Sequence, residues 1–133
     1  MNPEYTESMQ AAVRMYADGT AYAARGLVSG APGSWALTYR DPGTDGSETV
    51  LCFGGETVRM TRSGAYSTEM HFSAEQPYEG SYGTPFGIVA FRLRTERLLC
   101  EETDSGWHIE LDYALCFSGG VWENHSMSVA VTV

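Results

Sequence analysis

The chain of 133 residues contains no lysine, so all eight of its basic side chains are arginines. They face 17 acidic residues, which leaves a formal net charge of −9. An acidic surface repels the phosphate backbone of nucleic acids, so we expect no nucleic-acid partner. The charges are interspersed along the chain rather than gathered in one run, a pattern typical of a solubilising surface.

Long apolar runs are missing as well. No stretch approaches the roughly 20 consecutive apolar residues that a membrane-spanning helix needs. The N-terminal segment MNPEYTESMQ has neither the basic nor the apolar region of a secretory signal. We therefore expect a cytoplasmic protein that has no membrane partner. The length predicts a single domain, residues 1–133, which buries ~65–70% of the surface that the unfolded chain exposes.

Cysteine is scarce, and the three present are far apart in the sequence: Cys52, Cys100 and Cys116. An odd number without a Cys-x-x-Cys spacing argues against a disulfide framework or a zinc site. We therefore predict that each is a buried free thiol.

Strict alternation of apolar and polar residues is the dominant pattern in the sequence. In WHIELDYALCF, residues 107–117, six alternate positions from Trp107 to Phe117 share one face, while His108, Glu110 and Asp112 share the other. This period of two predicts a long, half-buried antiparallel strand. Shorter segments alternate in the same way and place these residues inward: Trp35, Leu37, Tyr39, Val58, Met60, Tyr66, Met70, Phe72, Val89, Phe91, Leu93, Met127, Val129, Val131 and Val133.

Turn signals rich in glycine, proline and aspartate separate these strands at intervals of about ten residues. Such spacing without helical segments predicts an all-β antiparallel meander. Closing the sheet removes its exposed edges, so we predict a single closed or nearly closed barrel of eight to ten strands. The predicted turns are 31–34, 41–47, 54–55, 63–64, 103–106 and 118–120.

The N-terminal segment supports two interpretations. In NPEYTESMQAAVRMYADG, Asn2 and Pro3 suit a helix start, and Gly19 suits a helix end. Residues 9–15 also alternate like a strand, and Asp18-Gly19 is a typical hairpin turn. The all-β context favours the strand.

The segment YGTPFG, residues 82–87, lies between two alternating runs. Pro85 restricts Thr84 to an extended backbone and donates no ladder hydrogen bond. We predict a corner that ends one strand and begins the next. It is either an ordinary barrel rim or a lip over a cavity, with Tyr82 and Phe86 as its walls.

Residues 56–118 resemble the YwiB-like family of small bacterial proteins. The resemblance rests on these positions: Arg62, Ser63, Gly64, Met70, Phe72, Tyr82, Thr84, Pro85, Phe86, Gly87, Thr95 and Tyr113. It implies a calycin-like, lipocalin-like barrel with a strand over residues 8–17. It implies no activity, because the family is uncharacterised.

Arg62 is the most informative candidate residue, because it shares the parity of Val58 and Met60 and should lean toward the barrel interior or its rim. A partly buried guanidinium requires a partner. The partner could be an anionic ligand, or it could be an internal carboxylate or carbonyl group. Arg62 could also pack over Trp35 or Tyr66. We name seven candidate ligand-binding residues: Arg62, Tyr66, Tyr82, Thr84, Phe86, Thr95 and Tyr113. Ordinary core packing is the alternative for the aromatic and hydroxyl side chains.

Catalytic and metal-binding patterns are not found in the sequence. Glu110 and Asp112 have outward parity, so we expect surface pairing with Arg92 and Arg94 rather than a glycosidase pair. His71 and His108 also have outward parity, and His125 lies near the last turn. We predict no metal, no cofactor and no catalytic residues.

Three functions remain. The leading prediction is a non-enzymatic protein that binds a small molecule inside the barrel, an anion being one class. The alternative is a protein-interaction module, or a homodimer, that uses an outer face or an edge strand; Trp122 has outward parity there. The third is an enzyme that acts on an acidic small molecule through Arg62. The protein could be a monomer or a homodimer.

Overall fold

A computed structural model of the chain describes residues 8–40 and 47–133, in which there are ten β-strands and no helix. The strands are β1 (Met9–Ala17), β2 (Thr20–Ala31), β3 (Ser34–Arg40), β4 (Glu48–Phe53), β5 (Thr57–Ser63), β6 (Ser67–Ser73), β7 (Tyr78–Thr84), β8 (Gly87–Thr103), β9 (Gly106–Phe117) and β10 (Trp122–Thr132). The predicted turn at 41–47 lies largely outside the described residues.

The ten strands form a closed antiparallel barrel with simple meander order. Each strand pairs with the next one along the chain, and β10 returns to pair with β1 from Ala12↔Thr132 to Ala17↔Met127. The predicted closed all-β barrel is therefore confirmed, and the number of strands is the upper end of the predicted range.

The ambiguous N-terminal segment is a strand from Met9 onward, as the all-β context favoured. Its hairpin to β2 turns at Asp18 and Gly19, whose φ angles are +48° and +88°. Positive φ at both central residues is the requirement of a tight type I′ hairpin turn. The first seven residues, including Asn2 and Pro3 of the alternative helix, lie outside the described part of the chain.

The alternation predicted from the sequence places the core inside the barrel. Leu37, Leu51, Leu93 and Ile109 are fully buried, and 21 buried residues form one continuous hydrophobic cluster. Trp107 lies at one end of this cluster, with ring centroids 4.9 Å from Trp35 and 5.6 Å from Phe53. Side chains therefore occupy the interior of the barrel, as in other small barrels.

Strand β8 contains an irregularity that the alternation did not predict. The pairing of β8 with β9 shifts between Thr95 and Arg97. The extra residue of a β-bulge moves the following side chains to the opposite face. Arg97 therefore points outward, 3.0 Å from Glu110 and 4.0 Å from Asp112. Our expectation that Arg92 and Arg94 pair with these carboxylates was wrong.

Arg92 and Arg94 contact an aromatic ring instead. Their guanidinium carbons lie 5.4 Å and 4.7 Å from the ring centroid of Trp122, on the outer wall of the barrel. Arg94 also approaches Glu96, at 3.3 Å. These outward side chains have the parity predicted from the sequence, and only their partners differ.

The seam between β6 and β7 has the shortest register in the barrel, consisting of Ser67↔Gly83 and Thr68↔Tyr82. Beyond these pairs, the rings of His71 and Tyr78 stack across the seam, with centroids 4.5 Å apart. At the far end of β6, the Ser73 amide donates to Thr95 Oγ1 on β8, at 3.1 Å. The wall is therefore held at this point by side chains as much as by backbone pairing.

Two further sequence predictions need correction. All three cysteines are free, but only Cys116 is buried, because Cys52 lies on the outer face of β4 and Cys100 lies near the end of β8. Val89 was predicted to face the core, but it is 40% exposed because β8 begins at the rim of the barrel. Within the described residues, no helix could span a membrane.

Two buried threonines provide a test of interior packing. Thr49 is fully buried, and its hydroxyl has no hydrogen-bond partner among the described residues. Thr68 is also buried, but its hydroxyl donates to the Ser81 carbonyl at 3.3 Å. Burying a polar group without a partner costs about 1–3 kcal/mol.

We expect Thr49→Val to raise the free energy of unfolding by about 1 kcal/mol, because valine keeps the branched shape and removes the unsatisfied hydroxyl. The matched variant Thr68→Val should lower the free energy by about 1 kcal/mol, because it removes a bond at the short β6–β7 seam. Urea unfolding measures both. Destabilisation by Thr49→Val would show that this hydroxyl has a bonding partner in solution.

Candidate functional site

Polar side chains line up across five neighbouring strands at one end of the barrel. The register makes each a direct neighbour of the next, from β3 to β7. We call this set the polar row: Tyr39, Thr49, Arg62, Thr68 and Tyr82. All five side chains have interior parity, because they continue the alternation of the core residues on their strands. Arg62 is half-buried on this face, in agreement with the predicted position at the interior or the rim of the barrel.

Arg62 contributes the positive charge of the polar row. Its Nη1 lies 3.4 Å from the Tyr82 hydroxyl, a long hydrogen bond between β5 and β7. The side chain is half-buried, whereas Arg59, three residues earlier on the opposite face of β5, is exposed. Water screens a half-buried charge less than an exposed one, so this guanidinium can act strongly on neighbouring groups.

Tyr113 on β9 belongs to the same environment. Burial, with a contribution from the negative charge of Asp18, raises the pKa of Tyr113 to about 12, although the charge of Arg62 acts to lower it. The hydroxyl therefore remains protonated at neutral pH and can donate a hydrogen bond. The guanidinium of Arg62 and the hydroxyl of Tyr113 thus lie within electrostatic range of one another.

His125 is packed behind Tyr113. The two residues are register partners on β10 and β9, and their rings stack with centroids 5.5 Å apart. Nδ1 of His125 lies 2.7 Å from Oδ2 of Asp18, while the Ser126 amide donates to Oδ1 of Asp18 at 2.9 Å. The turn at Asp18 therefore fixes the orientation of the imidazole, and the imidazole supports the ring of Tyr113.

Beside Arg62, a cleft of about 910 Å³ runs over the wall formed by β6 to β9. Arg62, Glu69, Glu79 and Arg92 supply its charged groups, and Ile88 and Phe91 are among its apolar groups. The short β6–β7 register places this cleft in the wall rather than at the barrel centre. Within the described residues, no group of three or more potential ligands could hold a metal ion.

The structure separates the seven candidate residues into two groups. Arg62 and Tyr82 are in contact, and Tyr113 is near enough for the charge of Arg62 to lower its pKa. Thr95 is the register partner of Tyr113. Thr95 already accepts the hydrogen bond from Ser73. Two of the remaining three, Thr84 and Phe86, lie in or beside the β7–β8 turn.

Thr84 hydrogen-bonds within its own turn, to the Gly87 carbonyl at 2.9 Å and from the Phe86 amide at 3.1 Å. Phe86 is 94% exposed, and Tyr66 precedes β6 and is 42% exposed. The predicted corner at YGTPFG is confirmed as the β7–β8 hairpin turn, but Tyr66 and Phe86 do not line the interior. Side chains within a turn leave the alternation of the strand, which explains both errors.

Sequence reasoning missed the pairing of His125 with Asp18. The signal that could have found His125 is its parity, which it shares with Met127, Val129 and Val131. Asp18 could not be assigned, because the contact joins residues 107 positions apart and depends on barrel closure. Trp35, which we considered as a cover for Arg62, instead packs against Trp107.

The Asp18–His125 pair predicts a pH-dependent contribution to stability. Burial alone would raise the pKa of Asp18, but hydrogen bonds from His125 and from the Ser126 amide outweigh it, and the pKa falls below 3.8. A carboxyl group whose pKa is lower in the folded state stabilises the fold above its unfolded-state pKa. That contribution disappears as the pH falls through the folded-state pKa.

We expect Asp18→Asn to lower the free energy of unfolding at pH 7 by about 0.2–1 kcal/mol, because it weakens the contacts of the exposed carboxylate with His125 and the Ser126 amide. Asparagine tolerates the positive φ of this turn, so the variant removes mainly the charge. The difference from wild type should shrink as the pH falls below the ordinary aspartate pKa of about 3.9. Asp112→Asn is the control, because its side chain is 46% exposed against 49% for Asp18. Thermal melts from pH 3 to 8 measure the effect; a difference that is independent of pH would contradict it.

The comparisons with known proteins agree with this architecture. The YwiB protein from Bacillus subtilis has a crystal structure that matches with a TM-score of 0.80 at 15% identity, over 97% of this chain and 94% of that one. At this identity the match shows the fold alone. No curated protein is significantly similar in sequence. The family model described as a domain of unknown function, DUF1934, matches residues 13–129. The chain therefore belongs to the DUF1934 family and has the YwiB-like barrel fold.

Proposed function

We propose that this protein is a non-enzymatic receptor for a small anionic molecule, which binds beside Arg62 at the polar end of the barrel. The observation that carries this proposal is the half-buried side chain of Arg62, which lines a large cleft and lies 3.4 Å from the Tyr82 hydroxyl. Hydrogen bonds to a charged partner in such a site contribute about 1.5–3 kcal/mol each.

The position of the cleft modifies the prediction that a ligand lies inside the barrel. The hydrophobic cluster occupies the interior. The cleft instead gives access to Arg62 from the wall between β6 and β9. A ligand in this position reaches the guanidinium without displacing the core, so our proposal places the ligand there.

The arrangement of His125 favours binding over catalysis. An enzyme that used Arg62 would need a base that reaches the same ligand, and His125 is the titratable group packed against Tyr113. Its Nδ1 is engaged by Asp18, and the face of its ring is covered by Tyr113. The protonated Tyr113 hydroxyl can donate a hydrogen bond but does not supply a base.

The interaction-module alternative retains one supporting observation. Three large apolar side chains are exposed at the turns of the polar end: Phe86 at 94%, Ile88 at 79% and Val121 at 80%. A dimer formed through an edge strand is not supported in the same way. β10 pairs with both β1 and β9, so it has no free edge for a second copy. A homodimer through the exposed turns would give twice the monomer mass in light scattering, and Phe86→Ser would restore the monomer mass.

The proposed function can be tested with simple anions. We expect acetate, inorganic phosphate and benzoate, added to ¹⁵N-labelled protein at low ionic strength, to include at least one that gives saturable shifts at the Arg62, Tyr82 and Tyr113 amides. Arg62→Gln should weaken that binding at least about tenfold, because it removes the charge-assisted hydrogen bonds.

Arg59→Gln provides the matched control, since Arg59 lies on the same strand with its side chain exposed on the outer face. It should leave the affinity within about twofold of wild type. Equal losses in the two variants would show that the anion responds to net charge alone. An absence of saturable shifts with all three anions would contradict the proposal.

A further inference from the structure

The barrel wall has a local gap in its backbone pairing at the seam between β6 and β7. Beyond the two register pairs of this seam, residues 69–73 of β6 and 78–81 of β7 have no register partner across it. Each of the two strands keeps its full pairing on its other side, with β5 and with β8. The gap therefore interrupts a wall whose strands are otherwise fixed in place.

On the β6 side, a hydrogen bond shows which backbone groups face the gap. The Ser73 amide donates across the seam to Thr95 Oγ1, at 3.1 Å. The amide and carbonyl groups of one strand residue point to the same side in an antiparallel pair, and those of the next residue point to the other side. His71, two residues before Ser73, therefore also directs its amide and carbonyl groups into the gap.

On the β7 side, a second hydrogen bond gives the same information. The Ala90 carbonyl accepts from the Ser118 amide, so the backbone groups of Ala90 face β9. The next residue of β8 faces β7, and its register partner Gly80 faces β8. Glu79 therefore directs its amide and carbonyl groups into the gap, opposite those of His71.

The gap also connects two cavities. Tyr78 lines both the cleft and a second cavity of about 440 Å³, and His71 lines the second one. The stacked rings of these two residues, with centroids 4.5 Å apart, lie between the cavities. Rotation of the two side chains, a common change on binding, would join the cavities into a groove along the seam. Such a groove suits an extended chain.

The two faces of the gap differ in charge and in available space. On the outer face, Glu69 lies 3.2 Å from Nε2 of His71. Arg92, the register partner of Glu79, is directed over Trp122, and Glu79 has no ion-pair partner among the described residues. Behind the gap, the buried side chains of the core fill the interior. An occupant would therefore match the wall with a cation outside and small groups inside.

We propose that the seam binds an extended, basic peptide segment of a partner protein, which adds as a strand between β6 and β7. Its backbone pairs with that of His71 and Glu79, and a lysine or arginine side chain lies outside, beside Glu69 and Glu79. Strand addition of this kind is a recurrent mode of peptide recognition. The net charge of −9 favours the approach of a basic segment. The inference goes beyond the anion receptor and does not depend on it.

Hydrogen exchange of the free protein tests the gap itself. We expect the amides of His71 and Glu79 to exchange at least about a hundredfold faster than those of Phe72 and Gly80, whose backbone groups face β5 and β8. Equal protection of the four amides would show that the seam is paired in solution and would overturn the proposal.

The peptide acetyl-Ala-Ala-Lys-Ala-Ala-amide tests the occupant. At low ionic strength it should give saturable ¹⁵N shifts at His71 and Glu79 and slow the exchange of both amides at least about tenfold. The same peptide with N-methylated backbone amides should bind at least about tenfold more weakly, because it cannot donate to the strands. A peptide with glutamate in place of lysine should also bind more weakly.

Two glutamates give the matched pair of variants. Glu79→Gln should weaken binding of the lysine peptide about two- to fivefold, the range of an exposed ion pair. Glu101→Gln makes the same change of charge at an exposed position near the far end of β8 and should leave the affinity within about 1.5-fold. Arg62→Gln should not weaken binding, so the peptide site and the anion site succeed or fail separately.

Each contrary result removes a stated part of the proposal. The absence of saturable shifts, or equal binding of the N-methylated peptide, would overturn strand addition. Equal binding of the glutamate peptide, or equal losses in Glu79→Gln and Glu101→Gln, would overturn the outward cation beside Glu79. Protection of the His71 amide that rises with protein concentration, together with a doubled mass in light scattering, would show that a second copy occupies the seam.

Discussion

The closed barrel of this protein depends on the pairing of its last strand with its first. β10 forms hydrogen bonds with β1 on one side and β9 on the other, so the ten-stranded sheet has no unpaired edge. The closing register sets Val13 opposite Val131 and Met15 opposite Val129, all of them buried. A slip of one residue would turn each of these side chains toward water, so hydrophobic burial specifies the closure and closure specifies the interior.

The candidate site lies at the end of the barrel where the inward side chains are polar and the pairing of β6 with β7 is short. At one end the inward positions carry aromatic rings, including Trp35, Phe53 and Trp107. At the other end the inward positions of five adjacent strands carry the polar row. The short register between β6 and β7 opens the wall beside that row. Because these polar groups are buried or half-buried rather than solvated, Arg62 and the tyrosines share an environment in which a single charge acts strongly.

The sequence was a good guide to the fold and a partial guide to the site. Alternation from Trp107 to Phe117 and at Arg62 depends only on the two-residue period, and the structure follows it. We did not predict the bulge near Glu96. The sequence does indicate it, because apolar residues change from odd to even positions between Leu93 and Leu98, and both of these face the core. Tyr66 and Phe86 were misplaced because turn residues do not obey the alternation of strands. The contact of Asp18 with His125 requires the closing register, which no local pattern contains.

The most direct test of the central claim is anomalous diffraction from crystals soaked in bromide, a monoanion that can be located without reference to any ligand. We predict that the strongest bromide peak lies within hydrogen-bonding distance of the Arg62 guanidinium and of the Tyr82 or Tyr113 hydroxyl, and that Arg62→Gln crystals lack this peak. Bromide bound at the exposed arginines, with none beside Arg62, would show that Arg62 does not form an anion site.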